Sequence, residues 1–189
     1  NAIFFTYALV LARFFAVPPE RVGLYLIPFS ISNFLGPLLI GWMFDVHGRR
    51  TMITATYAAS GALLGVTALL FVQGNLTVVT LTVAFTDVFF FASAAASCAY
   101  LTVSECFPLE VRALAIAVFY ALGTGLGGVA SPWIFGQLIG TGDPASVAWG
   151  YAFGALLMLI AAGFAWRLAV RAECRPLEEV ARPLSSAPP

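Results

Sequence analysis

The sequence contains no lysine, and charges of either sign are rare in it. Only 10% of its 189 residues are charged, whereas a soluble domain carries about 25%. All nine basic residues are arginines and nine acidic residues balance them, so no basic stripe for nucleic acid is present. Hydrophobic residues make up 61% of the chain, which is more than a soluble fold of this size buries. We therefore expect a lipid bilayer, and no nucleic acid, around most of the protein.

Cysteine is also scarce, and the three cysteines are scattered at Cys98, Cys106 and Cys174. They form neither a metal-binding spacing nor a disulfide framework, so we interpret them as packing residues. Neither a nucleotide-binding loop nor a catalytic triad pattern is visible in the sequence. We expect no enzyme, no catalytic residue, no metal and no cofactor.

The first residues carry no targeting signal. Asn1 opens an apolar run without a methionine or a positively charged segment before it. A signal peptide needs a positive start and a cleavage site with small residues, and neither occurs here. We therefore expect a further segment upstream of Asn1.

Long charge-free windows divide the chain into predicted membrane spans. A window of about 18 or more apolar residues is long enough to cross a bilayer as a helix. Residues 51–104 carry a single charge and are too many for one helix, so we place a turn at Gln73-Gly74-Asn75. The predicted spans are about 1–15, 22–44, 52–72, 76–103, 113–139 and 147–166. They form an all-α integral membrane domain over 1–169, and 170–189 is a polar tail.

Arginines are distributed unevenly between the two sides of the predicted domain. An even number of spans puts both ends of the chain on one side, together with the segments 45–50 and 105–112. Seven arginines lie on that side, whereas only Arg13 and Arg21 lie on the other. The positive-inside rule makes the arginine-rich side cytoplasmic. We expect a multi-pass protein of the plasma membrane with a cytoplasmic C-terminus.

Three segments resemble parts of one transporter family. Residues 41–50, GWMFDVHGRR, fit G-x-x-x-D-x-x-G-R-R, which resembles the signature loop of the major facilitator superfamily. Residues 104–113, SECFPLEVRA, resemble the connection between the tenth and eleventh helices of its sugar porters and metabolite–proton symporters. The first five residues, NAIFF, are similar to the seventh helix of the same group. The three resemblances occur in the right order and spacing along the chain.

The resemblance implies the carboxy-terminal half-bundle of a major-facilitator fold, with six helices in two inverted three-helix repeats. The missing amino-terminal six-helix half is then a partner, either in the same polypeptide or in another one. The implied function is secondary active transport of a small polar solute, a sugar or an organic acid, by alternating access with proton coupling. The alternative is a membrane interaction or scaffold protein that derives from a half-transporter and moves nothing.

The fifth predicted span is rich in glycine, which lets membrane helices pack closely or bend. In the resembled fold the eleventh helix faces the other half of the transporter. The alternative is a helix that packs only within its own bundle. The glycines are Gly123, Gly125, Gly127, Gly128, Gly136 and Gly140.

The charged segments supply candidates for a cytoplasmic gating network. Gly41 is expected to allow close approach of helix backbones. Gly48, just before the arginine pair, is expected to permit a tight turn. Arg–carboxylate pairs between the two segments would form a latch that closes in one conformation and opens in the other. The alternative is that these charges only anchor helix ends. The candidates are Gly41, Asp45, Gly48, Arg49, Arg50, Glu105, Glu110 and Arg112.

Asp87 is the only ionisable residue deep within a predicted span. A carboxylate in lipid is costly, so we expect Asp87 to face the substrate cavity and to carry a proton. The alternative is a structural role, with a hydrogen bond to Thr82 or Thr86. Further polar candidates for the substrate pathway, each of which could equally form a local hydrogen bond, are Asn1, Thr6, Tyr7, Asn33 and Tyr100.

Overall fold

The computed structural model describes residues 2–169, which fold into six α-helices. The helices are α1 (Ala2–Phe15), α2 (Pro19–Val46), α3 (Arg49–Val72), α4 (Val78–Cys106), α5 (Leu109–Gly140) and α6 (Pro144–Leu168). Each predicted span overlaps one helix, and the described residues contain no strand, so the predicted all-α class is confirmed. Asn1 and the predicted tail 170–189 lie outside the described residues.

Five helices, α2 to α6, are long and apolar enough to cross a membrane, and α1 is a shorter apolar helix of 14 residues. In a bilayer every backbone polar group needs an internal partner, which a helix provides along its whole length. The helices run beyond the predicted spans because they continue through charged residues into the headgroup region. Residues 105–112, which lie between two predicted spans and would form a charged loop there, are largely helical instead, since only Phe107 and Pro108 separate α4 from α5.

Proline and capping residues set several helix ends. Phe107 is extended because the ring of a following proline disfavours the helical conformation. Pro19 and Pro144 each open a helix at a position where the missing N–H has no partner to lose. The backbone N–H groups at the start of α4 are satisfied by Thr77 and Thr80, whose side chains each bond the other's backbone.

The helices pack as a bundle in which α3 lies most extensively against α6, followed by α2 against α4 and α3 against α4. Exchanging α1, α2 and α3 with α4, α5 and α6 maps the α2–α4 pair onto the α1–α5 pair and keeps α3 against α6. These two pairings agree with two inverted three-helix repeats, whereas the α3–α4 pair has no comparably extensive α1–α6 counterpart. We call the end of the bundle with the α2–α3 and α4–α5 connections the arginine-rich end.

An aromatic cluster fills the part of the bundle away from the arginine-rich end. Tyr7 stacks on Phe29 with ring centroids 5.5 Å apart and meets Phe85 edge-on at 5.6 Å. Phe85 and Phe71 in turn meet the ring of Tyr151 edge-on. Edge-to-face ring pairs add to the dispersion that holds membrane helices together, so this cluster joins α1, α2, α3, α4 and α6.

Candidate functional site

The turn between α2 and α3 has the tight geometry that the sequence predicts. Only His47 and Gly48 lie between the two helices, and Gly48 has a φ of 88°. A residue with a side chain is strained at positive φ, so glycine is the residue that suits this position. The turn places Arg49 at the start of α3, beside the end of α2.

Arg49 joins the ends of three helices. Its Nη2 lies 3.1 Å from Asp45 Oδ1 of α2, and its Nη1 lies 2.6 Å from Glu105 Oε2 of α4. The Nη1 contact is an ion pair between α3 and α4. The Arg49 side chain is 8% exposed and that of Glu105 is 14% exposed, whereas Asp45 is 63% exposed.

Burial makes the Arg49–Glu105 pair different from a surface ion pair. Moving two charges out of water is expensive, and their attraction offsets this cost only while both stay in place. Removing one partner of such a pair costs about 3–5 kcal/mol, because the other charge stays buried without a partner. The pair is therefore stable only while α3 and α4 keep their present separation at the arginine-rich end.

The other charged candidate residues at the arginine-rich end have different surroundings. The guanidinium of Arg50 lies 5.0 Å from the ring centroid of Trp166, which ties α3 to α6 by a cation–π contact. Arg112 Nε donates to the carbonyl oxygen of Phe107 at 3.3 Å. Glu110 is exposed in the first turn of α5, where a negative charge is favourable. Among the described residues, the structure thus gathers Asp45, Arg49 and Glu105 into one cluster.

Close backbone approach occurs at a different glycine from the one predicted. A Cβ at Gly41 would meet nothing within 4 Å, so none of the described helices approaches α2 closely at Gly41. A Cβ at Gly36 would instead overlap the carbonyl oxygen of Phe90 and would lie 2.6 Å from Ser93 Oγ. Gly36 is the residue at which α2 and α4 cross.

A recess of about 360 Å³ lies in the middle of the bundle. Its volume is within the range of small-molecule sites, about 300–1,000 Å³. Asn33, from the exposed side of α2, belongs to its lining, whereas the almost fully buried Tyr151 of α6 lines its interior. The lining comes from all six helices, with Phe89, Ala92 and Ser93 of α4 prominent in it.

The predicted pathway residues have different positions relative to the recess. Asn33 lines it. Tyr7 is buried beside it and hydrogen-bonds Thr82, with 2.6 Å between the two hydroxyl oxygens. Thr82 Oγ1 already donates to the backbone oxygen of Val78, so the Tyr7 hydroxyl is the donor. Thr6 is buried too, and its hydroxyl donates to the backbone oxygen of Ala2.

Tyr100 and Asp87 lie away from the recess. The Tyr100 ring contacts Phe119 and Tyr120 of α5. Asp87 is exposed, one turn from the exposed Val83, and makes no hydrogen bond or ion pair within residues 2–169. At 3.6 residues per turn, Asp87 points about half a turn away from the α4 residues that line the recess.

Sequence reasoning missed the residues that α3 and α6 contribute to the recess. Tyr57, Tyr151 and Met158 all line it. The resemblance directed attention to α1 and α4, which correspond to the seventh and tenth helices of the family. In α3 and α6, only the presence of a tyrosine within an apolar span could have indicated a lining residue.

Helix α5 is largely uncovered. Its only buried residues are Phe135 and Ile139, both near its end. A Cβ at Gly123, Gly125 or Gly136 would meet nothing within 4 Å, so the six described helices leave these glycines unpacked.

The chain matches the family model of the Major Facilitator Superfamily over residues 1–187. Neither the curated proteins nor the solved structures include a match. The match covers nearly the whole sequence and agrees with the all-helical bundle and with the tight, charged turn between α2 and α3. The chain therefore belongs to the major facilitator superfamily.

Proposed function

We propose that the chain forms one half of a secondary transporter, which moves a small solute across a membrane by alternating access. Membership of the superfamily supports membrane transport of a small solute as the general function. The six described helices and a recess that reaches an exposed surface are consistent with one half of such a transporter. The cytoplasmic position of the arginine-rich end, which rests on the positive-inside rule, is part of the proposal.

The buried Arg49–Glu105 ion pair is the observation that carries this proposal. Alternating access needs an element with two stable arrangements, and packed interfaces with charge pairs behave in this way. While α3 and α4 stay together, the two charges satisfy each other. When the helix ends separate, water enters and hydrates both charges, so the open arrangement is also free of an unpaired buried charge. Asp45 would hold Arg49 on the side of α2 in both arrangements.

The uncovered length of α5 supports the presence of a second half. An apolar helix with unpacked glycines offers a backbone that another helix can approach closely. The resembled fold places its eleventh helix against the other half of the transporter. We propose that the missing amino-terminal six helices cover this side of α5.

Proton coupling through Asp87 belongs to the same proposal. A charged side chain that faces lipid near the centre of a helix costs about 2.5–3.5 kcal/mol on insertion scales. Asp87 is exposed on the surface of the six described helices. We propose that water or another part of the transporter covers it, and that its carboxyl group gains and loses a proton during transport.

The sequence resemblance favours a sugar or an organic acid as the transported solute. The lining of the recess, in which no described side chain is charged, favours a less polar molecule. The proposed transport function does not depend on which of these classes of solute is transported.

A double-mutant cycle on uptake tests the latch. The complete coding sequence would be expressed with Arg49→Ala, with Glu105→Ala and with both, and uptake would be normalised to the amount of protein in the membrane. Each single change should slow uptake at least tenfold, and the double change should be no worse than the poorer single one, since the pair is already broken. Arg21→Ala, at the opposite end of the bundle, serves as the matched control. Additive effects of the two changes would refute the latch.

A further inference from the structure

Among residues 2–169, no charged side chain lines the recess. The described arginines all lie near helix ends, at positions 13, 21, 49, 50, 112 and 167. The described carboxylates lie near helix ends as well, with the exception of Asp87, which points away from the recess. A charged solute in the recess would therefore lose its hydration without gaining a counter-charge from these helices.

The inner wall of the recess holds a tyrosine whose hydroxyl has no hydrogen-bond partner among residues 2–169. Tyr151 is 1% exposed, and Phe71, Phe85 and Phe135 surround its ring. Buried tyrosines normally direct the hydroxyl group to a partner. Because Tyr151 lines the recess, a molecule in the recess can supply that partner.

Besides Tyr151, four described polar side chains line the recess, those of Asn33, Tyr57, Ser93 and Ser131. The hydroxyl of Ser93 already donates to the backbone oxygen of Phe90 at 3.2 Å. Asn33 belongs to the exposed side of α2. The remaining interior surface includes Phe89, Phe135 and Met158, whose rings and thioether favour flat, polarisable groups.

We propose that the recess binds a compact, uncharged solute with an aromatic or aliphatic body and one or two hydrogen-bonding groups, one of which bonds the Tyr151 hydroxyl. This inference rests on the proposed transport function and specifies the substrate class of its site. A sugar alcohol would bury more hydroxyl groups than the interior can satisfy, and each unsatisfied group costs binding free energy. A carboxylate would meet no cation from the described helices.

Three probes of different chemistry test the class directly. Indole is neutral and aromatic with one N–H donor, benzoate is an aromatic anion, and sorbitol is a neutral polyol. The protein would be reconstituted in lipid nanodiscs, and binding would be measured by equilibrium dialysis against empty nanodiscs. Indole should bind saturably, with an affinity at least tenfold above that of benzoate or sorbitol. Tighter binding of benzoate or sorbitol, or no saturable binding of indole, would overturn the proposal.

Two variants locate the binding. Tyr151→Phe keeps the ring and removes the hydroxyl, so the affinity for indole should fall about fivefold to tenfold, the value of one hydrogen bond. The same change in Tyr120, an exposed residue of α5, is the matched control and should have no effect. Ala92→Phe places a ring in the recess and should abolish saturable binding. Unchanged binding by both recess variants would overturn the assignment of indole to the recess.

Transport assays separate this inference from the function on which it rests. Uptake of a sugar or an organic anion, but of no neutral aromatic compound, would overturn the substrate class and leave the transport function standing. Saturable indole binding without movement of any solute by the complete protein would support the site and refute the transport function.

Discussion

The crossing of α2 over α4 at Gly36 leads to a sharp stability prediction. A methyl group at this position would overlap the carbonyl oxygen of Phe90 and would lie 2.6 Å from Ser93 Oγ. The serine side chain can rotate away, but the carbonyl oxygen belongs to the backbone of α4 and cannot. Gly36→Ala therefore forces the two helices apart.

The expected magnitude follows from the cost of overpacking. Inserting a methylene-sized group into a well-packed site costs about 1–3 kcal/mol of unfolding free energy. For a chain of 150–250 residues, 1 kcal/mol shifts the unfolding temperature by about 2–4 °C. The midpoint of Gly36→Ala should thus fall by roughly 2–12 °C. Gly23→Ala on the same helix is the matched control, because a Cβ there meets nothing within 4 Å. Alanine in an open helical position stabilises by about 0.4–1 kcal/mol, so the two changes should have opposite signs.

Cys98 provides the assay, since it is a buried free cysteine. In a background with Cys106 and Cys174 changed to serine, a thiol-reactive fluorescent dye would report its exposure as the purified protein is heated in mild detergent. If Gly36→Ala unfolds at the same temperature as Gly23→Ala, or at a higher one, the close crossing of α2 and α4 is refuted.

Three further predictions concern single residues. Gly142→Ala should destabilise the protein by about 1–2 kcal/mol, because φ at this residue is 72° and a Cβ would lie 2.9 Å from Arg13 Nη2; thermal unfolding measures it. The backbone N–H of Ala145 donates to the Asp143 carboxylate and lowers its pKa. This cap thus stabilises at neutral pH, and the difference in unfolding temperature between parent and Asp143→Ala should shrink as the pH falls from about 3.9, the pKa of an unfolded aspartate, through the lower pKa of the folded state. Asp87→Asn should abolish proton-driven accumulation of solute and spare exchange, and undiminished accumulation at equal abundance would make Asp87 structural.

The sequence predicts the number and order of the helices well because the bilayer imposes one length criterion on five of them, and α1 is apolar too. Apolar windows located the six helices, and turn residues separated α3 from α4. The helix ends were less accurate, since the windows stopped at charges. Asp45, Arg49 and Glu105 all lie inside helices, because a helix can continue beyond the apolar window wherever its charges find a partner, as Arg49 and Glu105 do in each other.

The glycines show what a one-dimensional pattern omits. Gly48 was predictable because a positive φ is a local requirement of the turn. The close approach at Gly36 depends on which helix crosses α2 and at what height, and neither quantity is written in the residues around Gly36. Motif resemblance drew attention to Gly41, where the described helices leave open space.

The residues that line the recess were also only partly predictable from the sequence. Polar residues in apolar spans are a reasonable indication of a cavity, and Asn33 does line the recess. Tyr7 is also a polar residue in an apolar span, yet its hydroxyl bonds Thr82 and connects α1 to α4. A tyrosine that lines the recess, such as Tyr151, can be told from one that joins two helices only when the partner of its hydroxyl is known.

Helix α4 connects the three parts of the proposed mechanism. Glu105 near its end pairs with Arg49, Phe89 and Ala92 line the recess, and Asp87 points to the opposite side. A helix is stiff along its axis, so a rotation or tilt of α4 moves all three positions together. Protonation of Asp87 would lower the free-energy cost of placing this side of α4 against an apolar surface. The same movement would change the shape of the recess and the Arg49–Glu105 distance. Coupling between proton and solute therefore needs no direct contact between Asp87 and the solute, provided that α4 moves as one body.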